Sequence, residues 1–447
     1  MPRLARCLLI CGTVLSLAAV LLISSGRLNG MSNDGSVDTY TAYQAISLYW
    51  LLGVAFCRAL AKIREFWKQY VLLGFSLFGC LVAIEIGLRI IKPELALREF
   101  EFVRSNTQHH VLLPDSSYHL GQFEGREVIV ETNQDRLRTS YSVNAFRKKA
   151  VRVICLGDSF TFGAWLPASS SYPEQLEALY RESGRSDIGV LNAGMLSYSP
   201  LLHEQLMKLT LLKYKPDVVT LMLDCTDIGD DYHYGLGFDE TSSDPRFSGP
   251  EVSKPNPHLG ALWRIAKPVH PSLLAPFKLL DRLSSNYAPH DPLDYYQFEI
   301  PVDGNIEDDR FFIYRHPLSE TREFFDATLA SIERIASLCK QNEIEFILFV
   351  APRYHHWSTV ESSSNWEAGT YGDYESYQNE IFNYFDAKTD LVGFPIVNML
   401  GDFKQTHEFP LVFETDPHWN KAGNRFVARI LKRELDKLKL INRLDTR

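Results

Sequence analysis

From residue 151 onward the hydrophobic positions fall into two patterns that take turns along the chain. Five short runs, 151–156, 188–193, 218–223, 344–350 and 395–399, are rich in Val, Ile and Leu and barely alternate with polar residues. Such runs predict parallel strands covered on both faces. Between them apolar residues return at helical spacing over 172–183, 201–214, 319–342 and 377–387, and 421–438 closes the chain in the same way. Strand and helix alternating like this predict an open α/β/α sandwich whose functional residues sit at the carboxyl ends of the strands.

The first ninety or so residues follow another rule. Runs 8–24, 40–61 and 70–91 are almost wholly apolar or small, each near the ~20 residues that cross a bilayer as a helix. Arg3 and Arg6 precede the first run, and Arg58, Lys62, Arg64 and Lys68 lie around the junction of the second and third; the intervening 26–39 segment sets Arg27 against Asp34 and Asp38. The positive-inside rule then puts the N-terminus and the 62–69 loop in the cytoplasm, and everything after Lys92 outside. The expected place is the cytoplasmic membrane, multi-pass, with a lipid bilayer as partner. No small-x-small cleavage site follows the first run, which argues for an anchor over a cleaved signal. Glu85 and Arg89, four residues apart, read as a self-neutralising pair in the third run. Segment 93–150 is mixed and polar, with an alternating piece at 127–131, and reads as a strand-containing neck. The organisation expected is thus a membrane region (1–92), a neck (93–150) and an α/β domain (151–447) carrying a lid-like insertion at 232–318.

Composition narrows the chemistry. A net charge of -9 argues against nucleic acid as a partner. The seven cysteines show no disulfide or zinc spacing, so Cys155, Cys225 and Cys339 read as buried thiols. No phosphate-binding or dinucleotide fingerprint is present, and no cofactor and no metal are expected.

Two stretches carry chemistry. Gly157-Asp158-Ser159-Phe160-Thr161-Phe162-Gly163 follows the first strand, where a sharp turn presents one hydroxyl. Asp416-Pro417-His418-Trp419-Asn420 precedes the last helix. Ser159 would attack an ester carbonyl, His418 would carry its proton, and Asp416 would hold the imidazole tautomer. The Ser159 and Gly194 N–H groups are the expected oxyanion donors, Gly194 because it follows the second strand in a turn that backbone can approach closely. Read as isolated motifs, the serine is a turn residue and Asp416 or Asn420 a helix cap; their joint appearance at first strand and last helix favours catalysis.

Together these stretches resemble the SGNH (GDSL-type) serine hydrolases over about 151–231 and 413–438, in a membrane-tethered form. The resemblance implies a flavodoxin-like three-layer α/β/α sandwich with a mostly parallel sheet, here preceded by N-terminal transmembrane helices. It also implies an oxyanion-donating Asn-Asp pair after the third strand, where this chain has Thr226-Asp227. Threonine offers one hydroxyl on a shorter, stiffer side chain. A second departure is the single residue between Asp416 and His418, a spacing similar to acyltransferase-like relatives that modify exopolysaccharides. The expected function is esterase action on O-acyl, above all O-acetyl, esters of a small molecule or cell-surface glycan. O-acyl transfer at the same site is the nearest alternative, and a non-catalytic glycan-binding scaffold the other. The acids Asp224, Asp227, Asp230 and Asp231, with His233, have the ligand type of a Ca²⁺ site but not the spacing of an EF-hand loop, and read rather as a solvated strand-end loop; Tyr354, His355, His356 and Trp357 read as either cleft lining or packing.

Overall fold

The computed structural model describes residues 97–239, 246–247, 298–358, 361–371 and 377–441, except 101 and 440, together with scattered positions between 72 and 91. Most of the apolar N-terminal runs, including Glu85 and Arg89, and much of the 232–318 insertion lie outside the described residues. No helix among the described residues is long and apolar enough to cross a membrane.

The centre is a five-stranded, all-parallel sheet: β1 (Val151–Leu156), β2 (Ile188–Asn192), β3 (Val218–Leu223), β4 (Glu345–Val350) and β5 (Ile396–Asn398). Their spatial order is β2-β1-β3-β4-β5, the flavodoxin-like order, which puts its switch point between β1 and β3. β3, in the middle, is buried at every position, which is why its sequence is a continuous apolar run.

Helices cover both faces. Val151, Val153 and Cys155 point to one side and pack with α2 (Tyr172–Glu182) and the last helix; Ile154 and Leu156 point to the other, toward α3 (Pro200–Leu206), α4 (Thr226–Leu236) and α5 (Leu318–Gln341). Shorter helices follow: α6 (Trp366–Tyr371), α7 (Glu380–Asp386) and α8 (Leu400–Gln405), before α9 (Lys421–Lys437). The two core layers that result flank the sheet, with period-2 alternation in β1 deciding which side chain joins which layer. Cys155, Cys225 and Cys339 are free and buried among them.

Two expectations change. The 201–214 helix is α-helical only over α3 and continues through a π turn (Met207–Leu211) and a 3-10 turn (Leu212–Tyr214). The acid-rich stretch after β3 is helix α4, not a solvated loop, and Asp227, Asp230 and Asp231 are buried on it. Each has a partner: Asp227 takes the Asp224 N–H, Asp230 pairs with Arg310, and Asp231 takes the Leu201 N–H at 2.7 Å and the Ser331 hydroxyl at 2.7 Å. The 93–150 segment also does more than lead into the sheet. Its hairpin, Ser117–Phe123 paired with Arg126–Glu131, sends Tyr118, Leu120, Val128 and Val130 into the same core layer as Ile154 and Leu156. From Glu99 onward it belongs to the same compact unit as the sheet.

Candidate active site

The serine turn is fixed from both ends. β1 stops at Leu156, and Gly157 takes a φ of 148°, where a Cβ would stand 2.1 Å from the Thr161 hydroxyl oxygen. Only glycine makes that turn without displacing the helix behind it. Asp158 caps the single-turn helix α1 (Ser159–Phe162), its Oδ1 accepting the Phe160 N–H at 2.9 Å. Ser159 is left half-buried at the carboxyl end of β1, at the switch point of the sheet.

The histidine comes from the last loop, which is pinned twice. Val412 and Trp419 form an antiparallel bridge across it, and Asn420 caps α9 by accepting the Ala422 and Gly423 N–H groups at 2.8 and 3.0 Å. Capping thus falls to Asn420 and leaves Asp416 free for other work. Asp416 Oδ1 accepts the His418 backbone N–H at 2.9 Å and stands 2.6 Å from His418 Nδ1; His418 Nε2 stands 2.7 Å from Ser159 Oγ. The structure therefore brings Ser159 to His418, 259 positions away in the chain, and to Asp416 beside it, in the geometry of a Ser–His–Asp triad, the arrangement of a serine hydrolase. The His418 and Asp416 side chains are 18% and 20% exposed, so the site is reached from solvent.

Charge within the triad is matched. Burial works against a charged His418, but Asp416 overcomes it and holds the imidazole above its usual range. Burial likewise works against the Asp416 carboxylate, and His418 together with the Trp165 indole N–H keeps it below its usual range.

The expected oxyanion donors are placed unequally. The Ser159 N–H makes no hydrogen bond among the described residues. The Gly194 N–H donates to Asn192 Oδ1 at 2.9 Å, and Asn192 Nδ2 in turn donates to the Thr161 carbonyl at 2.9 Å. A Cβ on Gly194 would lie 2.3 Å from Phe162 N, so this glycine lets the turn after β2 press against α1. Thr226 gives its N–H and its hydroxyl to Asp224 Oδ1 at 2.7 and 2.5 Å.

Beside Ser159 lies a buried acidic floor, which joins Asp158 to Asp224 and Asp227 of the acid-rich stretch singled out in the sequence. The Asp158, Asp224 and Asp227 carboxyl oxygens lie within 4.8 Å of one another, the one such group of potential metal ligands among the described residues. Arg353, after β4, donates to Asp224 Oδ2 at 2.6 Å and pairs with Glu367, while its guanidinium lies 5.1 Å from the ring centres of Phe160 and Phe311. Burial, then Asp224, pushes Asp158 up to about 6, and Asp227 is pushed well above the carboxylate range for the same reasons. Burial would raise Asp224 too, but Arg353 overcomes it. Arg353 thus offsets the charge of Asp224, while Asp158 and Asp227 hold their protons more readily than free carboxyls do. Asp158 Oδ2 also accepts the Ser159 hydroxyl at 3.1 Å, as a second acceptor beside His418.

Arg353 and Arg138 are the residues sequence reading missed. Arg138, 1% exposed, donates to the carbonyls of Phe162, Gly163 and Leu166 and so holds the loop after α1. A lone arginine in a polar stretch gives no sign of burial. Tyr354, His355 and His356 are buried and engaged: Tyr354 Oη accepts the Ser362 N–H at 2.8 Å, and His356 bonds to the Arg353 N–H and the Gln378 carbonyl at 3.0 Å each. They pack the end of β4, and Trp357, half-buried, packs against Phe403 beside them.

No protein-family model matches the chain, and no curated protein matches it. Among solved structures it is similar to a GDSL-like lipase from Bacteroides thetaiotaomicron (12% identity, TM-score 0.31, covering 65% of this chain and 89% of that one). It is also similar to the acetyl xylan esterase AlAXEase (16%, 0.30, 63% and 98%). A third is a catalytic mutant of the acetylxylan esterase Axe2 from Geobacillus stearothermophilus (13%, 0.32, 64% and 94%). Overlap of this extent leaves the chemistry to be read from this chain's own residues.

Proposed function

We propose that this chain is a serine esterase of the SGNH type that hydrolyses O-acyl esters. The observation that carries this reading is the continuous relay from Asp416 through His418 to Ser159, with contacts of 2.6 and 2.7 Å. Ser159 Oγ attacks the ester carbonyl while its proton passes to His418 Nε2. The tetrahedral intermediate collapses, His418 returns the proton to the leaving alcohol, and an acyl-Ser159 remains. Water, deprotonated by His418, then releases the acid. The unengaged Ser159 N–H is the first oxyanion donor. Gly194 joins it by giving up Asn192, while the Thr226 hydroxyl stays with Asp224.

An acetyl group as the acyl moiety, and a cell-surface glycan as its carrier, rest on the family resemblance and on the outward orientation read from the charge around the apolar runs. The same reading places the hydrolase domain outside the cytoplasmic membrane, tethered by those runs. Turnover of p-nitrophenyl acetate by the purified full chain, beside Ser159→Ala, tests the chemistry. Serine-dependent acetate release is expected; equal turnover in both proteins would refute it.

A further inference from the structure

Asp416 has two carboxylate oxygens, and the triad uses only one. Oδ1 serves both His418 contacts. Oδ2 receives the indole N–H of Trp165 at 3.3 Å. We infer that Trp165 is a positioning residue for the triad, whose indole N–H holds Asp416 Oδ2 so that Oδ1 stays on His418; the inference rests on the esterase reading above.

The backbone supports this. Trp165 has a φ of 63°, a left-handed conformation that is an outlier for a bulky residue. Such a conformation persists only where the surroundings over-determine it. Here they do so from several directions. Arg138 grips the carbonyls of Phe162 and Gly163 at 2.7 and 2.8 Å before Trp165 and that of Leu166 after it. Phe123, at the end of the first strand of the 117–131 hairpin, stacks on the indole with ring centres 5.3 Å apart and planes 21° apart. Phe123 also meets Phe413, three residues before Asp416, edge-on at 4.8 Å. Packing on Phe123 alone would not require the indole N–H to face the second oxygen of a triad carboxylate. Arg138, which fixes the backbone on both sides of the indole, thereby acquires a task in the chemistry, whereas Phe123 only packs on the ring.

The test is a double-mutant cycle on the full chain with p-nitrophenyl acetate. Trp165→Phe keeps a ring against Phe123 and removes the N–H. It is expected to lower kcat by about tenfold, the scale of one hydrogen bond to a charged group, with KM unchanged. In an Asp416→Ala background the same substitution is expected to cost nothing, since Trp165 acts through that carboxylate. Phe123→Leu, which leaves the donor in place, is expected to keep kcat near that of the unsubstituted chain. No loss from Trp165→Phe, an equal loss in both backgrounds, or an equal loss from Phe123→Leu would each overturn the inference. Ser159→Ala, run in the same series, separates the two readings: turnover that survives it refutes the esterase reading itself, whatever Trp165 does.

Discussion

The two sides of Ser159 are prepared to different degrees. Toward the last loop Ser159, His418 and Asp416 are already linked in one relay, with Trp165 closing the far end on Asp416. Toward β2 and β3 the groups expected to receive the oxyanion are bonded elsewhere, Gly194 to Asn192 and Thr226 to Asp224. Proton transfer is therefore pre-organised while oxyanion binding is only partly so. Loss of one oxyanion donor typically costs ~3 kcal/mol of transition-state stabilisation, so this contrast predicts a working nucleophile with modest turnover.

The largest effect should come from the prepared side. His418→Ala is expected to lower kcat for p-nitrophenyl acetate by roughly four orders of magnitude or more. A loss below tenfold would mean that Asp158, the other acceptor on the Ser159 hydroxyl, can serve as the base.

Arg353 holds the acidic floor between the two sides. Arg353→Met leaves Asp224 and Glu367 buried without their cation, and breaking such a pair costs about 3–5 kcal/mol. Chemical unfolding of the full chain should show that loss. An unchanged midpoint would mean that protons alone can balance the floor.

The pH profile sharpens the same contrast. Asp416 raises the His418 pKa above the ordinary 6.5, and catalysis needs the neutral imidazole. Activity should therefore climb as pH rises through a limb lying above 6.5, by about tenfold per pH unit on its acid side. Asp416→Asn should move the limb to lower pH. A limb that stays put would show that another group sets it.

The smallest effect belongs to Thr226. With its hydroxyl given to Asp224, Thr226→Val should change kcat by less than about threefold, far below the loss of a true oxyanion donor. A hundredfold loss would show that Thr226 turns to the oxyanion during turnover, and the two sides would then be alike.

What the sequence could disclose follows from what each residue touches. β1 and β3 matched their expected bounds because a strand buried on both faces writes itself as an unbroken apolar run. Ser159, Asp416 and His418 stood out because a sharp turn and a pre-helix loop leave local signatures. α4 was illegible for the opposite reason: its buried positions include Asp227, Asp230 and Asp231 beside Ile228 and Tyr234, so its inward face is largely polar where helical periodicity is sought in apolar residues. Arg138, Arg353 and Trp165 act on partners 14 to 251 positions away, and no local pattern reports such partners. The engagement of Gly194 by Asn192, two residues before it, is local yet equally hidden, because it depends on a side-chain rotamer.

The measurement that bears most directly on the central claim is covalent labelling of the full chain by a fluorophosphonate, followed by mapping of the modified peptide. The relay from Asp416 through His418 predicts one adduct, on Ser159, lost in Ser159→Ala and strongly slowed in His418→Ala. An adduct on another residue, or labelling of Ser159 at an unchanged rate without His418, would contradict it.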